Sequence, residues 1–283
     1  MLKDFRPRRS VLYVPGNNAR ALDKARTLPC DALILDLEDA VAPDAKEAAR
    51  LAVSEAVRSG AYGARDLIVR INGLDSPWGE ADLRAMVMLR PDGVLLPKVN
   101  HGADMLRAEA VLPNDIPLWA MIETAKGVLN AREIASCAPQ MAGLVLGLND
   151  LSKDLRVEQT PDRMALIYAL SACVLAARAA GLVVLDGVYP NIKDLDGLAA
   201  QCAQGRALGF DGKTLIHPAS IEIANKAFSP SIDAVEKARA IVAAWQASGS
   251  AGVTTLDGEL IEALHVQQAQ ELLAIDQKIR EQG

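Results

Sequence analysis

The sequence predicts an α/β protein, a (β/α)8 TIM barrel with a C-terminal helical lid extension. Three observations lead there. Short β-branched runs alternate with Ala-rich stretches whose apolar residues recur at helical spacing. Several of those runs, LILDL, GVLLPKV and GLVLGL among them, are continuously apolar, as parallel strands covered by helices require. The chain has 283 residues, enough for such a barrel, which needs about 250. A doubly wound sheet is the alternative, weakened by the lack of a G-x-G-x-x-G turn after the first strand.

In chain order, strands are expected over residues 10–14, 32–37, 67–71, 93–98, 118–123, 143–148, 182–188 and 214–216. Helical patterns lie between them, the clearest over 45–58, 80–89 and 163–180. Pro43, Pro161 and Pro218 fall near helix starts, and Gly60 and Gly181 follow helix ends, the usual asymmetry. The repeating units run out near Ala227, so the barrel domain is assigned residues 1–230. Residues 231–283 hold a helix (231–247), a flexible SGSAG link, a turn and a long helix. That tail is amphipathic through Leu260, Ile261, Leu264, Leu272 and Leu273. It is expected to cap the barrel, cover a neighbouring subunit, or both, because left uncovered it would expose the stripe.

Composition excludes several classes. With 51% hydrophobic residues the chain is not disordered, and no apolar run reaches the roughly 18 residues that span a bilayer. The opening MLKDFRPRRS lacks the apolar segment of a secretory signal. A net charge of −6, a pI near 5.2 and only 4% aromatic residues argue against nucleic acid as a partner. Four cysteines without a C-x-x-C pair read as buried thiols of a cytoplasmic protein.

In a barrel enzyme the chemistry sits at the C-terminal strand ends, and here those ends are polar. Strand two ends in Asp36, Glu38 and Asp39, strand three in Arg70 and Asn72, and strand four in Lys98. Strand five ends in Glu123, and strand six in Asn149 and Asp150. Asp186 and Tyr189 follow from strand seven, and Lys213 and His217 from strand eight. Glu123 and Asp150 lie on adjacent strands, so their carboxylates can converge on a hard cation such as Mg2+. Helix or turn capping by the same two side chains is the competing reading. Arg70 is placed to grip a carboxylate in bidentate fashion, or else to pair internally with Glu38 or Asp39. Arg20 and Lys24, four apart, share a helix face that suits either phosphates or plain solvent. Arg9 belongs to the same basic N-terminal segment, and His217 reads as a structural hydrogen-bonding residue. Neither a G-x-S-x-G elbow, a P-loop nor an H-E-x-x-H motif is present.

Taken in order, RRSVLYVPGNN, LILDLEDAV, VRIN, LLPKV, MIETAKGVLNAREIA, LGLNDLSKDL and GKTLIHPASI resemble the citrate lyase β-subunit-like family of the HpcH/HpaI aldolase superfamily. That group includes malyl-CoA and citramalyl-CoA lyases. The resemblance implies a (β/α)8 barrel and Mg2+ held by Glu123 and Asp150; Glu38 and Asp39 are read from their position as supporting acids, one for a metal-bound water and the other to orient Arg70. It assigns the substrate carboxylate to Arg70 and the CoA portion to Tyr13, Arg20, Lys24, Thr214 and Leu215. The implied reaction is Mg2+-dependent carbon–carbon cleavage of a 3-hydroxyacyl-CoA thioester into an acyl-CoA and a 2-oxo acid. The alternatives are citryl-thioester cleavage on an acyl carrier protein and a CoA-independent 2-oxo acid aldolase. The family's lid motif resembles D-G-x-M-I-D; here it reads DGELIEAL, so the lid acid–base falls on Glu262, with Asp257 as fallback. A homotrimer is implied as well, with residues 231–283 as a lid over the neighbouring subunit's site.

Overall fold

The computed structural model describes residues 6–249 and 252–282. Eight parallel strands close into a barrel in sequential order. They are β1 (Ser10–Pro15), β2 (Ala32–Asp36), β3 (Asp66–Arg70), β4 (Gly93–Leu96), β5 (Leu118–Ile122), β6 (Met141–Leu146), β7 (Val183–Asp186) and β8 (Gly212–Leu215). Each expected strand is present, with ends displaced by at most a few residues.

Alternation along each strand divides the apolar residues between two cores. Val11, Ile34, Ile68, Leu95, Trp119, Met121, Val145 and Leu185 pack inside the barrel. Leu12, Leu33, Leu35, Val69, Val94, Ile122, Leu144 and Val184 face the surrounding helices. Trp119 fills the interior because its neighbours are small: a Cβ at Gly143 would stand 2.2 Å from its ring. Near the N-terminal strand ends, Arg8 pairs with Asp66 and stacks over Trp119, and Arg9 makes a bidentate pair with Asp31. Arg9 therefore serves the stable face of the barrel, not the mouth.

The chain divides into two compact units, Arg8–Phe228 and a second one containing Ser229–Gly283. In the second unit the helix Ile232–Ala247, capped by Ser231, packs against the helix Ala263–Gln282. The sequence reading has a turn before the long helix. The structure has a two-stranded antiparallel hairpin there, β9 (Val253–Leu256) and β10 (Glu259–Glu262). Asp257 and Gly258 both take positive φ, at 50° and 84°, so the Asp-Gly pair makes the two-residue turn that suits strand twist. Among the described residues no helix is long and apolar enough to cross a membrane.

Candidate active site

The site begins with strand parity. Tyr13, Asp36 and Arg70 occupy positions in phase with the barrel-interior residues, and Glu123 continues the Trp119–Met121 phase just past β5. Asp186 and Lys213 have the opposite parity. They lie between sheet and helices, where the buried Lys213 ammonium and Arg163 guanidinium both bind the Asp186 carboxylate, at 3.0 and 2.7 Å. These two strand-end residues are thus internal ion-pair partners. Tyr189 bonds Asp194, and His217 Nδ1 accepts the Ala219 N–H as a turn cap. Asn72 donates to Asp82 at 2.6 Å and anchors the loop after β3.

Arg70 is 6% exposed and lies in register with Asp36 on the neighbouring strand. Its Nε and Nη2 donate to the two Asp36 oxygens at 2.7 and 2.6 Å. The same oxygens accept the Glu38 and Ala40 backbone N–H groups, so this carboxylate is fully used. Nη1 remains on the outer side, 3.0 Å from Glu38 Oε2, 3.4 Å from Asp39 Oδ2 and 3.7 Å from Met121 Sδ. The Tyr13 ring lies 5.0 Å from the guanidinium carbon. The sequence suggests Glu38 or Asp39 as the internal partner; the principal partner is Asp36. The signal was available, because Asp36 ends the run LILD at an inward-facing position.

Glu123 is 2% exposed, and its Oε1 accepts the Lys98 backbone N–H at 2.6 Å. Burial pushes its carboxyl up to about 8, and the nearby Glu38 charge adds to the effect against Lys98 and Arg70. Burial also raises the Glu38 carboxyl, opposed by Arg70 and Lys98. Glycine at 147 is what lets Glu123 lie flat on the chain, since a Cβ there would meet Oε2 at 2.5 Å. Asp150 sits in the first turn of the helix Leu148–Leu155 and makes no cap there, and the cap beside Glu123 belongs to Thr124. The capping reading of both acids therefore falls.

Tyr13, Asp36, Asp39, Arg70, Glu123 and Asp150 line one cavity of about 410 Å3 at the barrel mouth. The Tyr13 hydroxyl is buried beside it, with no hydrogen-bond partner among the described residues. Mg2+ fits this donor set: two hard carboxylates, one of them buried, its charge disfavoured until a cation offsets it. No three His, Cys, Asp or Glu side chains among the described residues form a closed cage. Two protein carboxylates are what Mg2+ typically uses when substrate and water complete its shell.

The remaining expected residues are dispersed. Arg20 and Lys24 are exposed on the helix Ala19–Ala25 that follows β1. Thr214 and Leu215, expected along the thioester channel, do not line this cavity. Thr214 is fully buried and donates to the Asp186 carbonyl, Leu215 packs under the helices, and Ile216 is the β8-end residue that lines the cavity. Asp257 occupies the hairpin turn, and Glu262 is exposed on β10, its N–H bonded to His265.

Known proteins resemble this chain over nearly its whole length. The chain is 50% identical over 276 residues to a (3S)-malyl-CoA thioesterase of Cereibacter sphaeroides (strain KD131 / KCTC 12085), covering 97% of this chain and 96% of that one. It is 36% identical to the citrate lyase β subunit of Escherichia coli (strain K12), over 95% and 93% of the two chains. The crystal structure of the protein CitE from Mycobacterium tuberculosis, in complex with magnesium, acetoacetate and coenzyme A, superposes with a TM-score of 0.80 at 29% identity. That match covers 98% of this chain and all of the other. A citrate lyase β subunit from the same organism, complexed with oxaloacetate and magnesium, matches at TM-score 0.69 and 30% identity, over 79% of this chain and 98% of the other. The family model described as HpcH/HpaI aldolase/citrate lyase matches residues 9–218. With its closed barrel, its mouth of carboxylates and guanidinium and these relatives, the chain belongs to the HpcH/HpaI aldolase/citrate lyase family.

Proposed function

We propose that this chain is a Mg2+-dependent enzyme of malyl-CoA-type thioesters, and that the bond it breaks in the completed reaction is the thioester C–S bond. The observation carrying this reading is the cavity that Arg70, Glu123 and Asp150 share, whose charges match the carboxylate and hydroxyl end of a malyl group. Half-identity to a malyl-CoA thioesterase over barrel and tail alike supports hydrolysis as the outcome.

Arg70, held from behind by Asp36, takes the malyl carboxylate with its outer nitrogen. Glu123 and Asp150 would hold Mg2+, which when bound gathers and polarises substrate oxygens. Tyr13 bounds the acyl group, and Arg20 and Lys24 meet CoA phosphates outside the mouth. Glu262 is the acid–base residue. It takes a proton from water as the water oxygen adds to the thioester carbonyl. The C–S bond then breaks, the proton passes to the CoA sulfur, and the free hydroxy acid and CoA leave. The working unit is a homotrimer in the cytoplasm, with the tail of one subunit over the site of the next.

Carbon–carbon cleavage is the second reading, favoured by the family match and by the citrate lyase β relatives. Malyl-CoA incubated with the protein and Mg2+ separates the two, with thiol and glyoxylate followed together. Thiol without glyoxylate is expected for hydrolysis. Glyoxylate with acetyl-CoA and no thiol establishes the lyase instead. Neither product would overturn both, leaving a carrier-protein thioester or a CoA-free oxo acid as substrate.

A further inference from the structure

Lys98 is the strained residue of the mouth. It follows β4 in the left-handed region, at φ 52°, a conformation that residues with a side chain rarely adopt. Such strain persists where surrounding contacts over-determine it, and Lys98 has several. Its backbone N–H donates to Glu123 Oε1 at 2.6 Å. Its ammonium bonds Glu38 Oε1 and stands 3.7 Å from Asp39 Oδ1. Yet Lys98 does not line the 410 Å3 cavity. It faces a neighbouring cavity of about 620 Å3, with Asp39 common to both.

The charges explain what this arrangement achieves. Asp36, Glu38 and Asp39 surround Arg70 with three carboxylates. Asp36 occupies Nε and one hydrogen of Nη2, so an incoming substrate carboxylate is left the outer Nη1–Nη2 edge, in competition with Glu38 and with Asp39, which already accepts from Nη1 at 3.4 Å. Glu38 Oε2, although 3.0 Å from Nη1, lacks hydrogen-bond geometry with it. Its other oxygen is tied to Lys98 on the far side.

We infer that Lys98 is a positioning residue with two separable duties. Its ammonium shares Glu38 and Asp39 with Arg70 and so weakens their hold on Nη1, letting a substrate carboxylate take it, while its backbone N–H pins one oxygen of Glu123. This rests on the proposed function only in taking the arriving group to be a carboxylate. Because Lys98 is outside the substrate cavity, its side chain acts on the bound acid through Glu38, Asp39 and Arg70.

Calorimetry with malate as probe at saturating Mg2+, together with Mn2+ binding followed by electron paramagnetic resonance, tests this on the full chain. Lys98→Met keeps the stem and the backbone N–H. Malate should bind about tenfold more weakly, the effect of leaving two acids to compete for one guanidinium, while Mn2+ affinity stays within about threefold. Lys98→Arg should restore malate binding, and Lys98→Gly, which relieves the backbone, should match Lys98→Met in malate affinity without loss of melting temperature. Unchanged malate affinity in Lys98→Met overturns the inference, as does a parallel loss of malate and Mn2+, which would mark a purely structural role. If the wild type binds malate but leaves malyl-CoA intact, the functional proposal falls and the assignment of Lys98 stands. If the wild type binds no malate, both fall.

Discussion

Replacing Asp36 by Asn tests the support beneath Arg70. The Asp36 carboxylate is 1% exposed and accepts four hydrogen bonds, two from the guanidinium at 2.7 and 2.6 Å and two from backbone N–H groups at 2.9 and 3.1 Å. An Asn amide offers one oxygen and one NH2, so in either orientation two donors face a donor. Removing one partner of a buried ion pair costs about 3–5 kcal/mol. Glu38, 3.0 Å from Nη1, still supplies counter-charge, which places the cost near the lower end. At roughly 2–3 °C per kcal/mol for a chain of this size, the melting temperature should fall by about 6–10 °C. Thermal melts and urea titrations read the change, with the urea midpoint moving at constant slope if only stability has altered. Asp36→Asn combined with Arg70→Met should recover much of the loss, because no buried charge is then left unpaired. A single variant melting within about 1 °C of wild type, or a double variant less stable than the single, would refute the view that Asp36 carries Arg70.

Other outcomes follow from the same structure. Gly143→Ala should cost about 1–3 kcal/mol or more, because its Cβ would lie 2.2 Å from the Trp119 ring, and adding Trp119→Phe should return part of it in urea unfolding. Burial pushes the thiols of Cys30 and Cys202 up to about 11 and that of Cys173 up to about 12. The folded protein at pH 8 should therefore gain at most one iodoacetamide adduct, at the half-buried Cys137, by intact mass. These raised pKa values also set a sign: the buried neutral thiols stabilise the fold fully below about pH 8.5, and that contribution drains away as pH rises toward 11–12. Glu262→Gln should lose about 100-fold or more in kcat for malyl-CoA with Mg2+ and CoA binding unchanged, and a fully active variant would remove Glu262 from the reaction.

The barrel was legible in the sequence because its strands are buried on both sides and so read as continuous apolar runs, and because Pro and Gly mark the helix boundaries. The polar strand ends were legible for the same reason: a charge closing an apolar run must have somewhere to go. Which of those charges face the mouth was decided by register and alternation. Asp36, Arg70 and Glu123 share the inward phase, whereas Asp186 and Lys213, equally polar and equally terminal, neutralise each other behind the sheet. Local pattern also lacks the distances that made Asp36, and not Glu38 or Asp39, the main partner of Arg70. Those depend on β2 and β3 pairing Asp36 opposite Arg70. The tail shows the same division. Its amphipathic helix and Asp-Gly turn belong to the sequence alone, while the β9–β10 hairpin arises only when two weakly patterned, mostly exposed segments pair across that turn. The sequence determines what each segment can bury. Tertiary structure decides which charges meet, because that depends on neighbours far away along the chain.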